Sequence, residues 1–218
     1  MATLITGCNR GIGLELAKQS KARGEKIIAI CRTYSDEIRL VADQVIDGID
    51  LTDRASLQKA ILQIREPLQK VIQNAGVFLE DNIEDLSTES LLKQFQVNAV
   101  APLEFTSLLI PKLADGAKLA FITSRMGSIA DNTSGAYYGY RMSKAALNAG
   151  VKSLAIDLKP RNISVMVLHP GFVKTRMTGF RGDVVPEESA SGLLQQIDKL
   201  SPNISGTFWH MNGELLPW

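Results

Sequence analysis

Cysteine is scarce in this chain. Cys8 and Cys31 are the only two among 218 residues, which excludes the disulfide framework of a small secreted domain. An excess of one charge is missing as well: 24 Lys and Arg against 23 Asp and Glu leave a net charge of +1. That balance gives no reason to expect nucleic acid or an anionic membrane as a partner. The opening Met-Ala-Thr-Leu-Ile-Thr-Gly has no basic leader followed by a long apolar run. No signal peptide is read there, and no apolar stretch approaches the roughly 20 residues of a membrane helix. The expected location is the cytoplasm. Histidine is limited to His169 and His210, neither with Cys, Asp or Glu at ligand spacing, so no metal site is implied. Linkers rich in Pro, Gly or Ser, internal repeats and low-complexity tracts are absent too. The reading is one domain over residues 1–218.

What is present is an alternation of short apolar runs with helical periodicity. Strands are expected at Ala2–Ile5, Lys26–Ile30, Gln44–Ile49, Lys70–Gln73, Lys118–Thr123, Ile163–Leu168 and Gly206–His210. Helices are expected at Ile12–Ala22, at Asp53–Arg65 with Thr52 or Asp53 as cap, and at Ser87–Leu113 with a bend near Pro102. Two more are expected, at Gly135–Leu158 and from Pro186 onward, proline suiting a first helical position. The runs at 118–123 and 163–168 lack polar alternation, as strands covered on both faces do. Strands alternating with helices of ten or more residues make parallel βαβ units. The expected fold is α/β, a single doubly wound Rossmann domain with a mostly parallel seven-stranded sheet. Its ligands would bind at the carboxyl ends of the strands, where the strand order reverses.

The first strand runs directly into Thr6-Gly7-Cys8-Asn9-Arg10-Gly11-Ile12-Gly13. Glycine permits positive φ and lets backbone N–H groups approach a pyrophosphate at a helix N-terminus, so a strand-turn-helix of this kind suits a dinucleotide. Six further groups follow in order. The first five are Asp50-Leu51 after the third strand, Asn74-Ala75-Gly76 after the fourth, Asn98 within Val97-Asn98-Ala99, Ser124 after the fifth strand, and Tyr140-Arg141-Met142-Ser143-Lys144. Pro170-Gly171-Phe172-Val173-Lys174-Thr175 closes the series after the sixth strand.

With the glycine spacing Gly-x-x-x-Gly-x-Gly, this series resembles the short-chain dehydrogenase/reductase family along the whole chain from residue 3. The wording is most similar to the small carbonyl reductase and C-factor-like branch. The resemblance implies that Gly7, Asn9, Arg10, Gly11, Ile12 and Gly13 hold the cofactor's phosphates. It implies that Asp50 and Leu51 flank the adenine, that Asn74, Ala75 and Gly76 line the cofactor, and that Pro170, Gly171, Val173 and Thr175 contact the nicotinamide end. Catalysis would fall to Asn98, Ser124, Tyr140 and Lys144, with Tyr140 and Lys144 also touching the ribose. Homodimers and homotetramers are plausible by the same resemblance, as are monomers.

The chemistry needs these residue types. Reduction of a carbonyl delivers a hydride to carbon and a proton to oxygen, and a free phenol with a pKa of about 10 exchanges protons poorly near neutrality. Lys144 lies four residues from Tyr140, on the same helical face, and its cation lowers the phenol's pKa. Ser124 would hydrogen-bond the substrate oxygen, and Asn98 would hold a water linking Lys144 to solvent. Ser128 rivals Ser124, because the interval from Ser124 to Tyr140 exceeds the usual one by about three residues. Asn98 also suits a helix kink, a role compatible with the first, and Ser124 a strand-end cap. Tyr137 and Tyr138 read as pocket wall or packing. Cys8 and Cys31 end neighbouring strands and read either as small packing residues or as an oxidation-sensitive pair near the adenosine.

Nothing acidic ends the second strand in Ile28-Ala29-Ile30-Cys31-Arg32-Thr33, where an NAD site places Asp or Glu. Arg32, Thr33 and Arg10 suit a 2′-phosphate, so NADP(H) is expected ahead of NAD(H). Residues 176–185 are too few for a helical lid, so a shallow, permissive pocket is expected. Phe172, Met177 and Phe180 would give apolar contact, and Arg125, Arg176 or Arg181 would meet an anionic group. The expected partner is a small carbonyl or alcohol. A dinucleotide-binding signalling protein of C-factor type is the alternative; an epimerase or dehydratase on the same fold is a third reading.

Overall fold

In the computed structural model, which describes residues 2–218, the strands are β1 (Ala2–Thr6), β2 (Lys26–Ile30), β3 (Gln44–Ile46), β4 (Leu68–Gln73), β5 (Leu113–Ile122), β6 (Ser164–His169) and β7 (Thr207–His210). The helices are α1 (Gly11–Ala22), α2 (Asp36–Val41), α3 (Arg54–Gln63), α4 (Thr88–Phe95), α5 (Ala101–Leu109), α6 (Tyr138–Asp157) and α7 (Pro186–Lys199). One sheet holds all seven strands in the order β3-β2-β1-β4-β5-β6-β7, and every neighbouring pair is parallel. The order reverses between β1 and β4, which is where such a sheet opens a crevice for ligands.

Both faces of the sheet are covered, as the uninterrupted apolar runs demand. Successive side chains alternate between faces. Leu4, Ile28, Ile30 and Val71 pack with Leu57, Phe105, Leu147 and Val151 of α3, α5 and α6. Ile5, Ile27, Ala29 and Ile72 pack with Leu16, Ala17, Leu193 and Ile197 of α1 and α7. No helix among the described residues is long and apolar enough to cross a membrane.

Four local expectations change. The helix expected over 87–113 is α4, a π-helical turn at Gln96–Val100, α5 and a short 3₁₀ turn at Ile110–Lys112. The irregularity precedes Pro102: a proline has no N–H for the carbonyl of residue 98 and its ring pushes that carbonyl aside, and the wider turn absorbs both effects. Leu113 begins β5 rather than ending a helix, although the regular β4–β5 register starts at Lys70 and Lys118 after an irregularity. β3 stops at Ile46, before the turn at Gly48. α6 begins at Tyr138 rather than Gly135, because Ala136 and Tyr137 adopt left-handed backbone with φ of 52° and 54°. α2 was not expected; Ser35 caps it by accepting from the Ile38 N–H at 3.3 Å.

Candidate active site

The glycine-rich turn leaves β1 between the carboxyl ends of β2 and β4. Gly7 and Gly11 have φ of +64° and +56°, conformations that disfavour a side chain. A Cβ on Gly7 would lie 2.8 Å from Ala75 Cα, and one on Gly13 would collide with the Gly7 carbonyl and lie 2.5 Å from Asn74 Nδ2. Asn74 braces this packing: its Nδ2 donates to the carbonyls of Thr6 and Gly7, each at 3.0 Å. The Thr6 hydroxyl accepts from the N–H groups of Asn74 and Ala75 at 3.0 and 3.1 Å. Arg10, the residue preceding α1, provides no side-chain cap. The first N–H groups of α1 are therefore left without a side-chain acceptor, a set of donors that fits a phosphate.

The adjoining turn after β2 carries exposed Arg32 and Thr33 beside buried Cys31. Asn9 ties the two turns by donating from Nδ2 to the Thr33 carbonyl at 2.8 Å, and Arg10 is exposed next to it. Asp50 accepts at Oδ1 from the Thr52 N–H and hydroxyl at 2.9 and 2.7 Å. Those bonds, with the Arg32 charge, hold its carboxyl below the usual range. Leu51 is half-buried against the core. Burial pushes the Cys8 thiol up to about 12, helped by Cys31, and the Cys31 thiol up to about 11. The thiolate is the reactive form, so these raised values favour the packing reading.

Tyr140, Lys144 and Ser124 converge at the carboxyl ends of β4, β5 and β6. Lys144 is 4% exposed; its Nζ donates to the Ile122 carbonyl at 2.9 Å and stands 5.7 Å from the centre of the Tyr140 ring. Burial pulls its ammonium down to about 8. Burial pushes the Tyr140 phenol up to about 12, against which the Ser124 hydroxyl works. Ser124 caps a 3₁₀ turn at Arg125–Gly127, accepting from the Met126 N–H at 3.2 Å. Ser128 is engaged elsewhere, donating to the Trp218 carbonyl and accepting from the Asp131 N–H, both at 3.1 Å. Asn98, inside the π-helical turn, accepts at Oδ1 from the Val77 N–H at 2.8 Å and donates to the Val77 carbonyl and the Ser143 hydroxyl. A Cβ on Gly76 would stand 3.1 Å from Asn98 Oδ1 and 3.6 Å from Lys144 Nζ. The missing side chain lets Asn98 and Lys144 approach this backbone closely.

A cavity of about 520 Å³ lies in front of Tyr140 and Ser124. Ile12, Pro170, Gly171, Val173 and Thr175 line it from the side of the glycine-rich turn, and Phe78, Met126, Tyr137, Phe172 and Met177 supply apolar wall. Asn98 and Lys144 stand behind this surface rather than on it. Residues 176–185 form one 3₁₀ turn (Arg176–Thr178), a left-handed turn through Gly179 and Phe180, and a bridge at Val184, with no longer helix. Phe180 and Arg176 are exposed and do not line the cavity. Three arginines line the cavity, and Arg141 is engaged within its own loop, donating to the Gly135 and Ala136 carbonyls and the Ser134 hydroxyl. Arg125 pairs with Glu214 at 2.8 Å and Asp131 at 3.3 Å, and Arg181 with Glu80 at 3.6 Å. The expected contact of Arg125 or Arg181 with an anionic group would have to displace those carboxylates.

Three wall residues carried no sequence signal of their own. Phe78 and Met126 follow motifs the sequence does reveal, by two residues each. His169, expected as a core or turn residue, packs edge-on against His210 at 4.9 Å and lines the cavity. Burial, with His210 and Arg125 nearby, pulls its imidazole down to about 3 and keeps it neutral. No group of three or more His, Cys, Asp or Glu among the described residues could hold a metal.

Known proteins share this arrangement. A dehydrogenase of Rhodococcus sp. (strain AD45), 1-hydroxy-2-glutathionyl-2-methyl-3-butene dehydrogenase, is 36% identical over 222 residues, covering 99% of this chain and 98% of its own. The C-signal protein of Myxococcus xanthus is 43% identical over 155 residues, 70% of this chain and 93% of its own. The carbonyl reductase Sniffer of D. melanogaster superposes with a TM-score of 0.93 at 31% identity, covering 100% of this chain and 99% of its own. An NADPH-bound carbonyl reductase from chicken fatty liver superposes at 0.92 with 29% identity, covering 100% and 98%. The family model described as short chain dehydrogenase matches residues 1–184. With the glycine-rich turn, the Tyr140–Lys144 pair and the parallel sheet all in place, the chain belongs to the short-chain dehydrogenase family.

Proposed function

We propose that this chain is an NADP(H)-dependent oxidoreductase interconverting a small carbonyl compound and its alcohol, with Tyr140 as proton donor and acceptor. The observation that carries the reading is that Tyr140 and Ser124 line one cavity, with Lys144 directly behind them and Ile12 of the glycine-rich turn also on its wall. The nicotinamide cofactor would supply or accept the hydride. Gly7, Gly11, Gly13 and the free N–H groups of α1 would hold its pyrophosphate, Arg10, Arg32 and Thr33 its 2′-phosphate, and Asp50 and Leu51 its adenine. Asn74, Ala75, Gly76, Pro170, Gly171, Val173 and Thr175 would complete its bed. The NADPH of the chicken carbonyl reductase supports the choice of cofactor by analogy.

In the reducing direction Tyr140 passes its phenolic proton to the substrate oxygen, while the Ser124 hydroxyl hydrogen-bonds that oxygen as charge develops on it. A charged Lys144 opposes the upward push of burial on the phenol. The proton is replaced along Lys144 and a water held beside Asn98 Oδ1. The apolar wall and the short loop over 176–185 exclude bulk water while admitting varied substrates.

The test is NADPH consumption by the purified protein against a panel of aldehydes, ketones and quinones. Turnover on several of them supports the reading. Tight NADPH binding with no turnover on any would favour the alternative to which the likeness to C-signal points, a dinucleotide-binding signalling protein.

A further inference from the structure

Two side-chain amides clamp the chain that follows Asn74-Ala75-Gly76. Asn98 takes both backbone groups of Val77, each at 2.8 Å. Gln94 does the same to Leu79: its Oε1 accepts from the N–H at 3.0 Å and its Nε2 donates to the carbonyl at 3.2 Å. Each amide pairs with the loop as a neighbouring strand would. Two extended residues span about 6.6 Å and one helical turn about 5.4 Å, so side chains four apart on a helix can serve loop residues two apart. Phe78 lies between the clamped residues, and its ring meets that of Tyr140 edge-on with centroids 4.9 Å apart.

The same network reaches the helix that carries Tyr140. Asp81 Oδ2 accepts from Gln94 Nε2 at 3.3 Å and from the Gly139 N–H at 3.0 Å, and the Asp81 carbonyl accepts from the Tyr137 N–H at 2.9 Å. Gly139 immediately precedes Tyr140 in the first turn of α6. Tyr137, the residue before α6, is left-handed and gives no side-chain cap, so Asp81 supplies the cap from another loop. A Cβ at Gly139 would lie 2.9 Å from Asp81 Oδ2, which is why that position has no side chain. Gln94 is fully buried and Asp81 is 7% exposed, so water does not compete for these bonds.

We infer that Gln94 and Asp81 are positioning residues for Tyr140: together they fix the Phe78 wall and the first turn of α6, so that the phenol is held at one place and angle. This rests on Tyr140 being the proton donor. Displacements on the order of 1 Å at such a group cost about a hundredfold in rate, whereas the glycine-rich turn is untouched by them. Asp81→Ala and Gln94→Ala should therefore lower kcat at least about tenfold, with the dissociation constant for NADPH within about threefold of wild type. Asp81→Asn keeps an acceptor for Gly139 and should recover kcat to within about threefold. Amide hydrogen exchange over residues 137–141 should speed up in Asp81→Ala and not in Asp81→Asn. Alanine variants with kcat within threefold of wild type would overturn the inference. So would a joint fall of kcat and NADPH affinity that Asp81→Asn does not reverse. Should Asp81→Ala fail to fold, Gln94→Ala and Asp81→Asn carry the same comparison. A wild type without turnover would defeat the proposed reaction alone; unchanged exchange over 137–141 in the alanine variants would then defeat the clamp.

Discussion

The glycine-rich end of the cleft and the tyrosine end are built from different materials. At the first, backbone N–H groups and exposed side chains are open to solvent: Arg10, Arg32 and Thr33 all lie in water. At the second, Lys144 is buried and Tyr140 partly so, and burial shifts both toward their neutral forms. Binding at the first end is therefore expected to respond to salt, since exposed charges are screened over about 10 Å at ordinary ionic strength. Chemistry at the second is expected to respond to pH and hardly to salt.

The sharpest separation of the two ends is Tyr140→Phe, which removes one proton and no packing. Turnover should fall at least about a hundredfold while NADPH affinity stays within about threefold, read by steady-state kinetics and direct titration. Comparable losses of both would merge the two ends. At the other end, Gly13→Ala places a methyl against the Gly7 carbonyl and Asn74 Nδ2. Overpacking of that kind costs about 1–3 kcal/mol, so the expected result is a lower melting temperature and weakened NADPH binding. Arg32→Asp should move the NADPH/NADH ratio of kcat/KM at least about tenfold toward NADH, a charge-assisted hydrogen bond being worth about 1.5–3 kcal/mol. Added salt should shrink that change, and an unaltered ratio at low salt would remove Arg32 from the cofactor site.

The smallest effect is one of linkage. The Lys144 ammonium titrates at about 8 in the folded chain, below its ordinary 10.5. Between those values the unfolded chain binds more protons than the folded one, so this residue adds stability as pH rises through the window and adds none of that gain below about 8. The gain is on the order of 1 kcal/mol per pH unit. Urea denaturation at pH 7.5 and 9.5 should show wild type gaining on Lys144→Met by that order, and parallel changes would mean that Lys144 is hydrated.

The two ends also differ in how far the sequence reveals them. The glycine turn, Asn74-Ala75-Gly76 and Pro170-Gly171 are contiguous strings at strand ends, where backbone requirements dictate the residue. The Tyr140–Lys144 pair is readable because four residues make one helical turn. The choice between Ser124 and Ser128 is not readable locally, since it depends on Trp218 engaging Ser128 from 90 residues away. One partner of Arg125 is hidden for the same reason, Glu214 being 89 residues distant. Asp81 and Gln94 look like ordinary surface residues of a loop and a helix until the fold buries them against Gly139.

The π-helical turn at Gln96–Val100 implies an intolerance to length. It holds one residue more than an α-helical path needs, and each residue of an α-helix turns the chain by about 100°. Deleting a single residue there would let the helix run straight. The flanking segments would keep nearly the same faces, because the wide turn already absorbs the extra residue, but the side chains within Gln96–Val100 would be redirected and Asn98 would lose Val77. Elsewhere on the surface, loops such as the one around Gly48 can gain or lose a residue at small cost. In this segment the count of residues matters as much as their kind.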